Sequence, residues 1–510
     1  MHSKPVKYTA VLLTVVTLLH GFTAALLPLS IDEAHYALYG ALPALSYFDH
    51  PPMVGWLQFA ALSVLGDSEL ALRAWALIIW LAICFVLYRL ACRLSPEQPY
   101  AGFFSVALIN LATLNQLISM SVLPEIPLLL FSLLTMHLVL DLIETPIKQS
   151  AVIWLKLGAI LGLAALSKYT AITLVLSIAL VMLMERRLPE LLQRGPWLGA
   201  IIALTLISPI LFWNADNQWI SFSYQLEHGT GKSEWDFANI ALLQLAQFVL
   251  YGSALYISGW YIGIKTLSLK AETLQQRQAR AVALFSLPIL LLFGITAGKG
   301  HSLPHWTMVS WGLLTPLAMT ALLAGWKKAI WRRLQIFSYA LSVVLTLTML
   351  MILALPQLLP AKLVSSTRQD FDGWAEAAQS AKALLSSLPE TNASPVMEQI
   401  EPYTGRIIVT SWTEASRVGW YAYPTPLNVL SERNKQFHIW YGEADPLEQG
   451  VLIVDDQKAL DAPIPTAPDN LNCQYHSSQP AYQSSVLVNR FHFYVCNLKQ
   501  ETANSAEQNQ

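Results

Sequence analysis

Residues 11–36 read VLLTVVTLLHGFTAALLPLSIDEAHY, an apolar run followed without a spacer by Asp32, Glu33 and His35. About 20 residues at 1.5 Å rise cross a bilayer core as one helix, so the run reads as a membrane span over about 8–29. It exceeds the apolar region of a secretory signal, and no A-x-A-like cleavage site follows, so it reads as a retained anchor. The acidic residues behind it therefore sit at a membrane surface.

The rest of the chain agrees. Of 510 residues, 54% are hydrophobic and 13% are charged, roughly half the charged share of a soluble domain. The net charge of −2 argues against a nucleic-acid partner, which needs a basic face. Further apolar runs fall at about 70–92, 101–119, 124–141, 151–167, 169–185, 197–213, 238–264, 281–297, 305–325 and 334–358. The pair 151–167 and 169–185 is short enough to be one bent segment. The run 53–66 is too short to cross and reads as interfacial. The fold class is a polytopic α-helical membrane protein with about 11 transmembrane helices, amid membrane lipids.

Lys and Arg fix an expected orientation. With the N-terminus cytoplasmic, inner loops collect cations such as Lys4, Lys7, Arg89, Arg93, Arg186, Arg187, Lys327, Lys328, Arg332 and Arg333. Outer segments before the last span hold only Arg73, Lys168, Lys232 and Lys299. That asymmetry follows the positive-inside rule and places the C-terminal region outside. Residues 1–361 form the membrane domain, with outer loops at 30–69 and 214–237. Residues 362–500 form an outer α/β domain, with a helix over 368–388 and strands in RIIVTSW (406–412), LNVLS (427–431), GVLIVDD (450–456) and SSVLVNRFHFYVC (484–496). Residues 501–510 read as a disordered tail. Cys473 and Cys496 fall in that domain, either paired or as free thiols.

Chemistry-bearing residues gather on the outer side. Asp32, His35 and Tyr36 share one helical face by their i, i+3, i+4 spacing. SYFDHPP (46–52) sets Asp49 and His50 side by side on a turn stiffened by two prolines. LPEIP holds Glu125 between Pro124 and Pro127, either as a helix cap or as a functional carboxylate. LSKYT places Lys168 between two apolar runs, as a snorkelling cation or as a clamp on phosphate. In the long loop, His228 of LEHG could be a metal ligand, a general base or a phosphate donor. GKGHSLPHW (298–306) brings Lys299, His301 and His305 into one hairpin.

These motifs, in this order over about residues 8–310, resemble the GT-C membrane glycosyltransferases, specifically glycosyltransferase family 39-like enzymes. That group includes the protein mannosyltransferases and the bacterial aminoarabinose transferase that modifies lipid A. The resemblance implies that Asp32, beside Glu33, is the catalytic acid residue that deprotonates or orients the acceptor. It implies that Asp49 and His228 flank a divalent metal ion near the donor phosphate, with no organic cofactor. His50 stands where the aminoarabinose transferase has Lys, and Glu125 stands where relatives have Asp.

Physical chemistry asks for the same parts. A polyprenyl-phosphate sugar keeps its tail in the bilayer, and its leaving phosphate needs cations. His50, Lys168, Lys299 and His301 are the candidates for that role, with Asp32, Glu33 and Asp49 as catalytic carboxylates. Glu125, His35 and Tyr36 are the candidates for positioning donor or acceptor. The expected activity is inverting transfer of a sugar from a polyprenyl-phosphate carrier to lipid A, another envelope glycan or protein, at the outer face of a bacterial inner membrane. A transporter or flippase would want ionisable groups deep in its spans, where few stand: His20 and His137 are the main ones, and both read better as packed polar residues. An envelope-assembly protein would leave Asp32 and Asp49 without a role.

Overall fold

The computed structural model describes residues 3–230, 234–268, 270–300, 302–388, 405–444, 449–456, 464–468 and 471–497. The expected tail at 501–510 lies outside these. The chain divides into two compact units, one of residues 1–25 with 43–349 and one of residues 26–42 with 350–510.

The first unit is a helical membrane bundle. Among the described residues, seven helices are long and apolar enough to cross a membrane: Lys4–Leu26, Glu69–Leu94, Glu125–Glu144, Arg194–Asp216, Leu274–Lys299, Pro304–Trp326 and Ala329–Ala354. Phe237–Leu250 with Ser253–Ser268, bent by 113°, makes an eighth if the pair is one span. Together with three shorter apolar helices, these account for the eleven apolar runs read from the sequence. Three of the apolar runs fold as shorter helices, Ala101–Leu111, Ala151–Ser167 and Ile172–Met184. At 1.5 Å per residue these reach roughly 17–26 Å, short of a bilayer core of about 30 Å. Extended backbone at Ala112 and Lys168 ends the first two. The run 53–66 folds as the short helix Met53–Leu65.

Small residues let two helices of the bundle touch. A Cβ on Gly158 would fall 2.1 Å from the Gly199 carbonyl oxygen, so Ala151–Ser167 and Arg194–Asp216 pack backbone to backbone. At the same end, Trp154 Nε1 donates to Glu190 Oε2 (2.7 Å). Gly158→Leu should therefore force the pair apart and cost roughly 1–3 kcal/mol or more. A lower thermal midpoint in detergent checks this, with Gly158→Ala intermediate. An unchanged midpoint for the leucine variant would show that the two backbones do not meet there.

The second unit carries a five-stranded mixed sheet, made of β1 (Gly405–Val409), β2 (Leu427–Val429), β3 (Gln449–Asp455), β4 (Asn472–Gln483) and β5 (Val486–Asn497). The strand order is β2-β1-β3-β5-β4. β1 pairs parallel with β2 and β3, while β5 pairs antiparallel with β3 and β4. Successive side chains of β5 alternate between faces. Phe491 and Phe493 join the larger core with Trp374, Ala378, Ile407, Val418 and Phe437, whereas Tyr494 and Cys496 join a smaller one with Ile408 and Leu452. Leu38 of the helix Ile31–Ala41 is fully buried in the larger core.

Helix Trp374–Ser386 lies within the expected 368–388, cut short by Gly373 at φ 86°. Trp412 opens a helix to Tyr421, not the end of a strand, because Ser411 caps it by accepting from Glu414 N. Ser484 and Ser485 form the turn between β4 and β5 with positive φ. Cys473 and Cys496 face each other across β4 and β5 and form a disulfide.

One group in this unit sets a pH dependence. Burial, then the neighbouring charge of Glu414, pushes the Asp455 carboxyl up to about 6 from 3.8. Between these values the unfolded chain has lost the proton and the folded chain still holds it. The contribution of this group to stability is therefore greatest below about pH 4, falls as pH rises, and levels off above about pH 6. The full difference is at most about 3 kcal/mol. Asp455→Asn should remove that slope and raise stability at pH 7 relative to wild type. Hydrogen exchange of β3 amides at pH 4.5 and 7 checks it, and equal slopes in both proteins would refute the assignment.

Candidate functional site

In the bundle, the SYFDHPP turn is held from both sides. Tyr47 N donates to His50 O (3.1 Å), Tyr47 Oη accepts from Ala44 N (3.1 Å), and Trp56 Nε1 donates to Ala44 O (3.0 Å). The Tyr47 ring fills the space over Gly55, where a Cβ would lie 2.4 Å from its hydroxyl. From the long loop, helix Ile220–Thr230 closes on the turn. Ser221 Oγ donates to Tyr47 O (2.9 Å), Gln225 Nε2 donates to Asp49 O (2.8 Å), and Tyr224 packs on Phe48 with centroids 4.5 Å apart. Asp49 is buried and His50 partly so. The loop and the turn, read separately from the sequence, are thus one structure. His228 falls in the last turn of that helix, and its side chain lies outside the described residues, as does His301.

Three helix ends meet around Glu125. It is the first residue of Glu125–Glu144, after Pro124, and is 3% exposed. Lys168, in the break after Ala151–Ser167, donates from Nζ to Glu125 Oε1. His305, in the turn Pro304–Thr307, brings Nε2 to 3.5 Å from the same oxygen. That turn is anchored by Tyr251 Oη donating to Pro304 O (3.2 Å) and by Thr307 Oγ1 donating to Gln247 Oε1 (3.0 Å). Lys168 also lies 5.8 Å from the Trp306 ring centroid. Burial in a low dielectric strengthens each of these interactions. An ammonium has three N–H donors. With Glu125 taking one, Lys168 can offer the others to an anion in a geometry the carboxylate has already fixed.

His305 belongs to the GKGHSLPHW hairpin and lies outside the residues that the sequence nominates for phosphate or acceptor. The signal was present, since a histidine straight after a proline at the start of an apolar run is an ionisable group at a membrane boundary. Lys299 lies exposed at the end of the turn Ala297–Lys299.

The second unit holds the other candidates. Asp32 is partly exposed in the first turn of Ile31–Ala41. Glu33 closes a capping box, accepting from Ser30 N (3.0 Å) and Ser30 Oγ (2.9 Å). Its carboxylate thus serves the helix N-terminus. His35 is buried, with Nδ1 3.1 Å from Ser416 Oγ and its ring among Tyr39, Trp412, Phe437 and Trp440. Tyr36 is buried beside it. His35 and Tyr36 are thus both buried within this unit. Among the described residues, no group of three or more His, Cys, Asp or Glu side chains could hold a metal ion.

Comparison with known proteins bears on this arrangement. Residues 49–213 match the family model described as dolichyl-phosphate-mannose-protein mannosyltransferase. The matched region contains the SYFDHPP turn from Asp49, Glu125 and Lys168. Among curated proteins, the chain is 23% identical to lipid A galacturonosyltransferase RgtD of Rhizobium johnstonii over 59% of its own length and 62% of that protein. It is 26% identical to lipopolysaccharide core galacturonosyltransferase RgtB of the same organism, over 58% of its length and 54% of that protein. The chain thus spans less than two thirds of the length of either relative. Among solved structures, ArnT from Cupriavidus metallidurans bound to undecaprenyl phosphate superposes with a TM-score of 0.59 at 14% identity, covering 97% of this chain and 99% of that one. That likeness shows the fold alone.

Proposed function

We propose that the chain, whose residues 49–213 match the dolichyl-phosphate-mannose-protein mannosyltransferase family model, is a membrane glycosyltransferase of the GT-C type. It moves one sugar from a polyprenyl-phosphate carrier to a lipid A or lipopolysaccharide acceptor. The transfer takes place on the outer face of a bacterial inner membrane and inverts the anomeric centre. The observation that carries this reading is the Lys168 ammonium locked by Glu125, with His305 beside it, at the ends of three apolar segments. A cation held at a bilayer boundary suits a phosphate whose apolar tail stays in the membrane.

In the proposed step, an acceptor hydroxyl attacks the anomeric carbon and the bond from that carbon to the phosphate oxygen breaks. The polyprenyl phosphate leaves with the electron pair, and the acceptor proton passes to a carboxylate. Lys168 and His50 stabilise the charge that develops on the phosphate. Asp32 is the carboxylate we assign to the acceptor proton. The names of the curated relatives make a galacturonosyl group the first sugar to test. A divalent ion would add charge neutralisation at the phosphate. Asp49 and, by the sequence resemblance, His228 would hold such an ion, with substrate phosphate completing its shell.

The test uses membranes holding the full chain and a panel of radiolabelled polyprenyl-phosphate sugars. Label should reach the lipid A fraction with wild type and fail to do so with Asp49→Asn or Asp32→Asn at equal expression. Absence of transfer from every donor would sink the reading and leave the flippase alternative. Loss of transfer on chelation, restored by Mg²⁺ or Mn²⁺, would support the ion; indifference to chelation would remove it.

A further inference from the structure

A cavity of about 490 Å³ lies in the bundle at the end opposite Glu125, between helices Ala101–Leu111, Met308–Trp326 and Ala329–Ala354. Phe104, Ala107, Leu111, Leu322 and Trp326 are among its lining residues. Its polar members are already engaged with protein. Gln335 donates to Leu322 O (3.0 Å) and accepts from Tyr339 Oη (3.3 Å). A cavity with so little to offer water is a site for hydrocarbon.

Its mouth is basic. Trp326 lines the cavity, exposed Lys327 and Lys328 follow it directly, and exposed Arg332 lies one helical turn before Gln335. Lys7 is exposed next to Tyr8, whose ring lies 6.0 Å from Phe103, another lining residue. We propose that this cavity binds an anionic phospholipid, one acyl chain in the apolar slot and the headgroup on Lys327, Lys328 and Arg332. The pairing of an intramembrane apolar slot with a cationic rim matches that chemistry on both counts.

Position separates this site from the donor site. The helix Met308–Trp326 starts beside His305 and ends at the cavity, about 28 Å away at 1.5 Å per residue. A headgroup there cannot also be the phosphate held near Lys168, so the occupant is a bilayer lipid and not a reacting carrier.

The test is native mass spectrometry of the full chain purified in mild detergent. The protein is offered phosphatidylglycerol, phosphatidylcholine and undecaprenyl phosphate in equal amounts. Wild type should retain phosphatidylglycerol at least 10-fold over phosphatidylcholine. Ala107→Trp, which fills the slot, should lower that retention at least 10-fold, while Ala107→Gly keeps it. Lys328→Glu with Arg332→Glu should bring the preference close to one. If the tryptophan variant does not fold, the charge reversal decides, because it alters exposed residues only. Equal retention of the two phospholipids by wild type, an unchanged preference after charge reversal, or undecaprenyl phosphate displacing phosphatidylglycerol would each overturn the proposal.

Discussion

Lys168→Met is expected to lower sugar transfer by about 10²–10³-fold per folded molecule, the usual cost of removing one preorganised charge-stabilising donor. The reason lies in how the ammonium is held. Glu125 and the surrounding helix ends fix it before substrate arrives, so no reorganisation is needed as charge grows on the leaving phosphate. The loss should appear mainly in kcat, because that charge is greatest in the transition state. Lys168→Arg keeps the charge but changes its geometry, and should retain transfer between the two extremes. The measurement is single-turnover transfer from a labelled polyprenyl-phosphate sugar with saturating donor. A methionine variant that keeps kcat and changes only KM would assign Lys168 to donor binding.

The second large effect is on stability. Glu125→Leu leaves the Lys168 ammonium, whose side chain is 12% exposed, without the carboxylate that offsets its desolvation. Breaking a buried pair from one side costs roughly 3–5 kcal/mol, whereas replacing both partners by apolar groups is often close to neutral. The thermal midpoint of Glu125→Leu should therefore fall well below wild type. The double variant Glu125→Leu/Lys168→Met should regain most of that stability while remaining inactive. Strict additivity of the two single losses would show that the pair is not coupled.

Much of this architecture could be read from residue order. The apolar runs locate the spans because hydrocarbon tolerates little else, and β1, β3 and β5 announce themselves as β-branched or aromatic segments. β4, NCQYHSSQPAY and onward, is silent because it is an edge strand, largely polar and half exposed, that meets β5 through a Ser-Ser turn in place of the usual Asn-Gly. The acidic turn and Glu125 were legible as ionisable groups at a membrane boundary. The closure of Lys168 and His305 on Glu125 was not, since pairing between segments this far apart leaves no local pattern.

The same limit applies to the first loop. Glu33 and His35 stand beside Asp32 in sequence and invite a shared role. Yet Glu33 caps its own helix, and His35 reaches Ser416, a separation of 381 residues. Helical spacing shows which side chains share a face; it does not show what that face packs against.

That long separation governs how the protein is made. The segment 26–42 leaves the ribosome near the start of synthesis, but the core that receives Leu38 and His35 is encoded after residue 350. At about 5–20 residues per second, the helix waits roughly 15–60 s for its partners. Throughout that interval, aromatic and aliphatic side chains meant for an interior are accessible to chaperones and proteases. A ribosome stalled anywhere in the bundle therefore leaves the Asp32 helix without its core, however many spans have already inserted.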